Sequence, residues 1–164
     1  MATLVPRHAF GLKRDVKNNI WYVDENTVVY PCGHLLVIYN TETKQQKFIP
    51  GTEGVEAMTA LALAPNRRCV AVAERAADGG RGTVSVYDVH SHKKRKVLGT
   101  QESMSKEYVC MSFSAENKYL LTQGGAPDYA LICWVWEKAK PVATTRVSNA
   151  QGPSKRFCRT HAPS

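Results

Sequence analysis

Residues able to do chemistry are present in the chain, but their spacing does not suit catalysis or metal binding. His90 and His92 lie two positions apart, yet the cationic residues 93–96 that follow them would repel a divalent metal ion. The glycine-rich segment 79–82 lacks the GxGxxG pattern and precedes no helical pattern, so it does not predict phosphate binding. No serine lies in a GxSxG sequence. We therefore expect no catalytic residue, no metal and no cofactor.

The most concentrated charge is the run Lys93, Lys94, Arg95 and Lys96, which supplies half of the formal net charge of +8. This run lies between two predicted strands, so we interpret it first as a solvated loop. A basic loop would also dock on an acidic protein surface such as a tubulin tail, or serve as a nuclear import signal. Nucleic acid binding is the less favoured alternative. It normally needs a basic face with exposed stacking aromatics, and the aromatics here fall within predicted strands.

Several aromatic residues fall near the ends of predicted strands, where an exposed ring would anchor a protein partner. We take Trp21 and Tyr108, together with the basic run, as candidate partner-binding residues. Trp134 and Trp136 lie two positions apart in a predicted strand and therefore on the same face. We expect this second pair to pack between neighbouring sheets.

Three copies of one strand-and-turn pattern organise the chain. Each copy has a strand that ends in an aromatic residue followed by a polar or acidic one: Tyr39-Asn40, Tyr87-Asp88 and Trp136-Glu137. The second residues of these pairs are 48 and 49 residues apart, a period typical of repeat folds. Runs of β-branched and aromatic residues bounded by turn residues predict four strands in each copy. The predicted strands are 20–23, 27–30, 35–39 and 46–49; 59–64, 69–73, 83–87 and 96–98; and 110–114, 119–122, 130–136 and 142–147.

The turns between the first and second strands also agree in the second and third copies. Residues 64–68 and 114–118 occupy equivalent places, 50 residues apart. Pro65 favours the first corner of a turn, and Asn66 and Asn117 suit tight or left-handed turn positions.

The composition indicates about one domain with a core of its own, since the chain has 164 residues of which 43% are hydrophobic. No apolar run approaches the roughly 18 residues of a membrane span. The first residues contain no apolar stretch of the length that a secretory signal needs. We expect a cytoplasmic protein that does not contact a membrane.

The pairs Tyr87-Asp88 and Trp136-Glu137 resemble the Trp-Asp that ends a strand in the WD-repeat family. The turn sequences APNRR and SAENK resemble that family's Ser-Pro-Asp-Gly-Lys turn. The resemblance implies an all-β fold of WD40-type β-propeller blades, each a four-stranded sheet. We expect about three blades, fewer than the roughly four to eight of a closed propeller, and hence an incomplete ring. The expected divisions are a lead-in at 1–19, blades at 20–50, 51–99 and 100–147, and a disordered basic tail at 148–164.

Longer segments resemble the amino-terminal region of a family of cilia- and flagella-associated WD-repeat proteins, in register from about residue 8 to residue 147. They include NNIWYVDENTVVYPCGHLLVIYN, QQKFIPG, FSAENKYLL and WVWEK. The resemblance implies a truncated, non-catalytic scaffold of the ciliary axoneme, located in the cytoplasm, cytoskeleton and axoneme. It implies partners among inner dynein arm and dynein regulatory complex components, with tubulin as a further candidate. Open blade edges would also favour self-association. The alternatives are a general cytosolic WD-repeat adaptor and a truncated isoform without function.

Overall fold

The computed structural model describes residues 7–77 and 79–147, whose twelve strands form three antiparallel sheets. Each sheet contains four consecutive strands. Blade 1 consists of β1 (Trp21–Tyr22), β2 (Thr27–Cys32), β3 (Leu35–Asn40) and β4 (Gln46–Pro50). Blade 2 consists of β5 (Val55–Leu63), β6 (Cys69–Ala76), β7 (Thr83–Asp88) and β8 (Lys94–Leu98). Blade 3 consists of β9 (Tyr108–Phe113), β10 (Tyr119–Gly124), β11 (Ala130–Val135) and β12 (Lys140–Arg146). The predicted all-β fold of three four-stranded blades is confirmed.

The strands lie where the alternation predicts them, and their ends differ by a few residues. β5 begins at Val55, four residues before the predicted start. The strand predicted at 130–136 ends at Val135, because Trp136 opens a short 3₁₀ helix, Trp136–Lys138. Ala139 then takes a left-handed conformation with φ of 52° and returns the chain to β12. The tail predicted at 148–164 lies outside the described residues.

The two matching turns have the same backbone hydrogen bonds. Arg67 N–H donates to the Ala64 carbonyl at 2.8 Å, and Asn117 N–H donates to the Ser114 carbonyl at 2.9 Å. Arg67 and Asn117 both adopt positive φ, at 56° and 58°. Asn66 instead accepts a hydrogen bond from the Arg68 N–H at 3.0 Å. The left-handed position therefore falls one residue after Asn66 in blade 2, whereas it falls on the asparagine in blade 3.

Blade 2 lies between the other two blades because both of its faces are apolar. Alternate residues of β6 point to opposite sides. Cys69, Ala71 and Ala73 enter the core shared with blade 3, whereas Val70 and Val72 enter the core shared with blade 1. The alanines leave room on the blade 3 side for the large side chains of that core. Among the described residues no core cluster joins blade 1 to blade 3, so the three sheets form an open arc.

The segment before β1 is bonded to the blades. Lys17 forms a parallel bridge with Ala60 of β5, in which its N–H donates to the Thr59 carbonyl at 3.1 Å. Further towards the start of the chain, Ala9 N–H donates to the Gln46 side-chain oxygen at 2.7 Å. The Gln46 side-chain amide donates back to the Ala9 carbonyl at 3.1 Å. The described part of the lead-in therefore crosses blade 1 and reaches the first strand of blade 2.

The described residues contain no helix that is long and apolar enough to cross a membrane.

Candidate docking cleft between blades 1 and 2

The hairpin between β7 and β8 is organised by Asp88. Its carboxylate accepts hydrogen bonds from the N–H groups of His90 and Ser91, at 3.0 and 2.9 Å, and lies 3.3 Å from the Arg95 guanidinium. The Ser91 N–H is the main cause that lowers the pKa of Asp88 below its ordinary value, and the His90 N–H and Arg95 add to it. His92 takes a positive φ of 59°, which closes the turn. The carboxylate thus holds the cationic hairpin in one conformation.

The prediction that the basic run is a loop is wrong for Lys94 and Arg95, whereas Lys96 was already expected to begin a strand. Lys94, Arg95 and Lys96 lie on β8, and Lys93 alone belongs to the turn. The strand starts early because Asp88 closes the turn within five residues and Lys94 then pairs with Tyr87. All four cations are exposed, as the prediction required. Charged residues are common on an edge strand, where they discourage uncontrolled strand pairing.

The four cations differ in the ion pairs and hydrogen bonds that they make with neighbouring groups. Arg95 is paired with Asp88 at 3.3 Å. The Lys94 ammonium donates to the Thr52 hydroxyl at 2.7 Å and lies 5.5 Å from the centre of the Tyr87 ring. Within the described part of the chain, Lys93 and Lys96 have no ion-pair partner. Two of the four charges are therefore free to meet an external anion.

A cleft of about 350 Å³ opens between blades 1 and 2 beside this hairpin. Its apolar lining comes from Val23, Ile38 and Val89, which are otherwise buried in the core between these blades. Its polar lining comes from Asp24, Thr27, Asn40, Thr43, Gln45, Lys47, His90 and His92. The cleft combines a hydrophobic floor with a polar rim, an arrangement that suits the binding of a side chain.

Charges around the cleft act on its titratable groups. Burial lowers the pKa of His92, and the nearby Lys47 ammonium lowers it further. Burial alone would raise the pKa of Asp24, but hydrogen bonds from the Asn26 N–H and from Thr27 hold it below its ordinary value. Asp24 is thus anionic at neutral pH, whereas His92 is largely uncharged. Among the lining residues the permanent positive charge belongs to Lys47.

The two aromatic candidates for partner binding, Trp21 and Tyr108, differ in how deeply they are buried. Tyr108 is 1% exposed and lies in the core between blades 2 and 3, so its prediction as a partner-binding residue is wrong. β9 begins at Tyr108, and the Thr59 hydroxyl of blade 2 donates to its carbonyl at 2.7 Å, which draws that strand end inward. Burial raises the pKa of Tyr108 to about 12. Trp21 is half-buried against the core between blades 1 and 2, and its role in partner binding stays a prediction.

The two tryptophans pack between blades 2 and 3, as predicted. The Trp134 indole N–H donates to the Thr122 hydroxyl at 2.9 Å, and that of Trp136 donates to the Asn117 carbonyl at 2.8 Å. Each ring therefore buries its apolar surface while its polar atom keeps a partner.

The sequence did not reveal the cleft, because its lining residues come from two blades and are separated by up to about seventy positions. The one local signal was the run of His and Lys from 90 to 94. Within residues 7–77 and 79–147, no three His, Cys, Asp or Glu side chains are grouped so that they could hold a metal ion. The properties of the cleft that could contribute to binding are its shape and its apolar and polar lining residues.

The repeat, the four-stranded sheets and the aromatic residues packed between them define a WD-repeat protein. No protein-family profile matches the chain. Over 157 residues, or 93% of the chain, it is 38% identical to mouse cilia- and flagella-associated protein 57, of which it spans 12%. It is 27% identical to mouse cilia- and flagella-associated protein 44, over 87% of the chain and 7% of that protein. It is 25% identical to mouse echinoderm microtubule-associated protein-like 1, over 83% of the chain and 17% of that protein.

The chain belongs to the family of cilia- and flagella-associated WD-repeat proteins. It spans 12% of the length of mouse cilia- and flagella-associated protein 57 and 7% of that of mouse cilia- and flagella-associated protein 44.

Proposed function

We propose that this protein is a non-catalytic, protein-binding scaffold of the ciliary or flagellar axoneme. The observation that carries the proposal is the 38% identity to mouse cilia- and flagella-associated protein 57 across 93% of the chain. The rigid antiparallel blades support it, because they present hairpins and edge strands as fixed docking surfaces. Within the axoneme, we assign the protein to the assembly or regulation of inner dynein arms and hence to ciliary motility.

The partners proposed for this scaffold are other axonemal proteins, including inner dynein arm or dynein regulatory complex components. The likeness to echinoderm microtubule-associated protein-like 1 extends the proposal to tubulin. Cationic residues on the outer strand of blade 2 support an acidic partner of this kind.

The test is the location of the tagged chain, residues 1–164, in a multiciliated cell. We expect an axonemal signal that persists after the membrane is removed with detergent, because a scaffold is retained by protein contacts. A control carries the same tag on an unrelated cytosolic β-propeller of similar size. A diffuse cytosolic signal equal to that of the control would reject the ciliary function and favour a general WD-repeat adaptor or a non-functional isoform.

A further inference from the structure

The two cores of the molecule are built from the same pair of blade faces. We call the face that packs against the following blade the forward face, and the face that packs against the preceding blade the rear face. Ile38 on the forward face of blade 1 shares a core with Tyr87 on the rear face of blade 2. Val86 on the forward face of blade 2 shares a core with Trp136 on the rear side of blade 3. One chain therefore forms the contact between a forward and a rear face twice.

The forward face of blade 3 has no sheet against it among the described residues. Ile38, Val86 and Val135 are equivalent, because each directly precedes the aromatic residue of the repeated pair. Ile38 and Val86 are 7% and 0% exposed, whereas Val135 is half-buried. Side chains alternate along β11, so Leu131 and Val135 point away from the core that Trp134 enters. This face is apolar and lacks the contact that its equivalents make.

The rear face of blade 1 has no sheet against it in the described ranges either. Tyr39 points away from blade 2, because it alternates with Ile38 along β3. It is half-buried, whereas its equivalents Tyr87 and Trp136 are 3% and 2% exposed. The register of β1, β2 and β3 places Tyr22 on the same face, and this ring is 62% exposed. Blade 1 thus leaves accessible the aromatic surface that the other two blades bury.

The lead-in lies across part of this rear face without filling it. Ala9 and the Gln46 side chain exchange two hydrogen bonds, which hold the lead-in there. A cleft of about 460 Å³ remains beside it, with Phe10, Tyr30 and Tyr39 in its lining. The Phe10 ring is exposed. The rear face of blade 1 therefore offers both room and apolar surface to side chains of another chain.

We propose that the forward face of blade 3 in one copy packs on the rear face of blade 1 in a second copy, with Leu131 and Val135 set against Tyr22 and Tyr39. A second copy is the occupant because it presents the same kinds of face that the chain already joins twice. This contact is heterologous, so the two remaining faces can meet in turn and close a ring. Two copies of three blades supply six, within the roughly four to eight of a closed propeller.

The inference goes beyond the proposed ciliary function and does not depend on it. Its test mixes two purified variants, each with one face disrupted. Tyr22→Glu/Tyr39→Glu disrupts the rear face of blade 1, and Leu131→Glu/Val135→Glu disrupts the forward face of blade 3. Light scattering after size-exclusion chromatography should show that the mass of the original chain rises with concentration and levels off at twice 18.2 kDa.

Each double variant alone should have a dimer dissociation constant at least about tenfold higher, because it places charge in an apolar contact. An equimolar mixture should form a dimer again, since each variant retains the face that the other lacks. An affinity tag on the blade 3 variant should therefore retain the untagged blade 1 variant.

The matched control is Val97→Glu, which places the same charge at an exposed valine of blade 2, away from both open faces. It should change the dissociation constant less than twofold, and circular dichroism should show that every variant keeps its β-sheet. If a double variant unfolds, Tyr22→Glu and Val135→Gln take its place, because these single changes lie at exposed or half-buried residues. The same pattern of loss and restoration is expected from them.

Self-association of the blade 1 variant as tight as that of the original chain would overturn the proposal in favour of a contact between two blade 3 faces. A mixture in which the two variants do not associate would also overturn it. So would a monomer at every concentration, or a mass that keeps rising beyond the dimer.

Discussion

Glu74 is the fully buried carboxylate of blade 2, and it attaches the segment after β4 to that blade. It is 0% exposed. Its oxygens accept hydrogen bonds from the Thr52 N–H at 2.9 Å, from the Thr52 hydroxyl at 2.8 Å and from the Ser85 hydroxyl at 2.8 Å. Three donors converge on this acceptor-only group, so both carboxylate oxygens of Glu74 have hydrogen-bond partners.

Glu74→Gln should destabilise the protein by about 1–3 kcal/mol, because the amide turns an N–H group towards one of these donors and leaves it unsatisfied. The measurement is the free energy of unfolding in urea. Glu116→Gln is the control, since Glu116 is exposed in the turn before β10, and its effect should stay within about 0.5 kcal/mol. A loss no larger than in the control would show that the carboxylate network contributes little.

At the scale of the element, the β7–β8 hairpin depends on Asp88 and therefore on pH. The fold lowers the pKa of Asp88 below the ordinary value of 3.8, chiefly through the Ser91 N–H, so near that pH the unfolded chain binds more protons than the folded one. The stabilising contribution is present above pH 3.8 and is lost as the pH falls from there through the folded pKa. The hairpin should therefore weaken in acid.

Asp88→Asn should lower the free energy of unfolding at pH 7 by roughly 1 kcal/mol, because the charge-assisted bonds to the turn and to Arg95 are lost. The same variant should lose less stability than the original chain between pH 7 and pH 3, as followed by urea titrations at each pH. Asp15→Asn is the control, because its side chain is 82% exposed. Parallel pH profiles for Asp88→Asn and the original chain would contradict this assignment.

At the scale of the whole molecule, the two cores leave one face of blade 3 without a sheet against it among the described residues. β11 shows this clearly: Ala130, Ile132 and Trp134 are buried, whereas Leu131 and Val135 are half-buried. An apolar sheet face of this kind favours association with a second copy or with a partner.

We expect purified protein to self-associate through this face. Light scattering after size-exclusion chromatography should give a mass above the 18.2 kDa of one chain, rising with concentration. Leu131→Gln combined with Val135→Gln should shift the protein towards the monomer. Met104→Gln, at an exposed methionine in the loop before β9, should leave the distribution unchanged. A monomer at every concentration would refute the prediction.

Much of the fold could be predicted because strand signals are local. Alternation along β6 and β11 and the turn chemistry at 64–68 and 114–118 depend on residues a few positions apart. Burial of a residue at a strand end, by contrast, depends on residues that are distant in the sequence. Tyr108 resembled a surface anchor in the sequence, and it is buried because blade 2 packs against it and Thr59 bonds to its carbonyl. The start of β8 likewise depended on how tightly Asp88 closes its turn.

The sequence by itself determined the class of protein: the repeat, its period, its strands and the likeness to ciliary WD-repeat proteins all follow from the order of residues. The tertiary structure alone decided which surfaces are available to a partner. Lys47 and His92 are 45 positions apart, and only the packing of blade 1 on blade 2 brings them to one cleft. Local sequence patterns report which face of a strand is apolar, whereas a binding surface is created by the contacts between sheets.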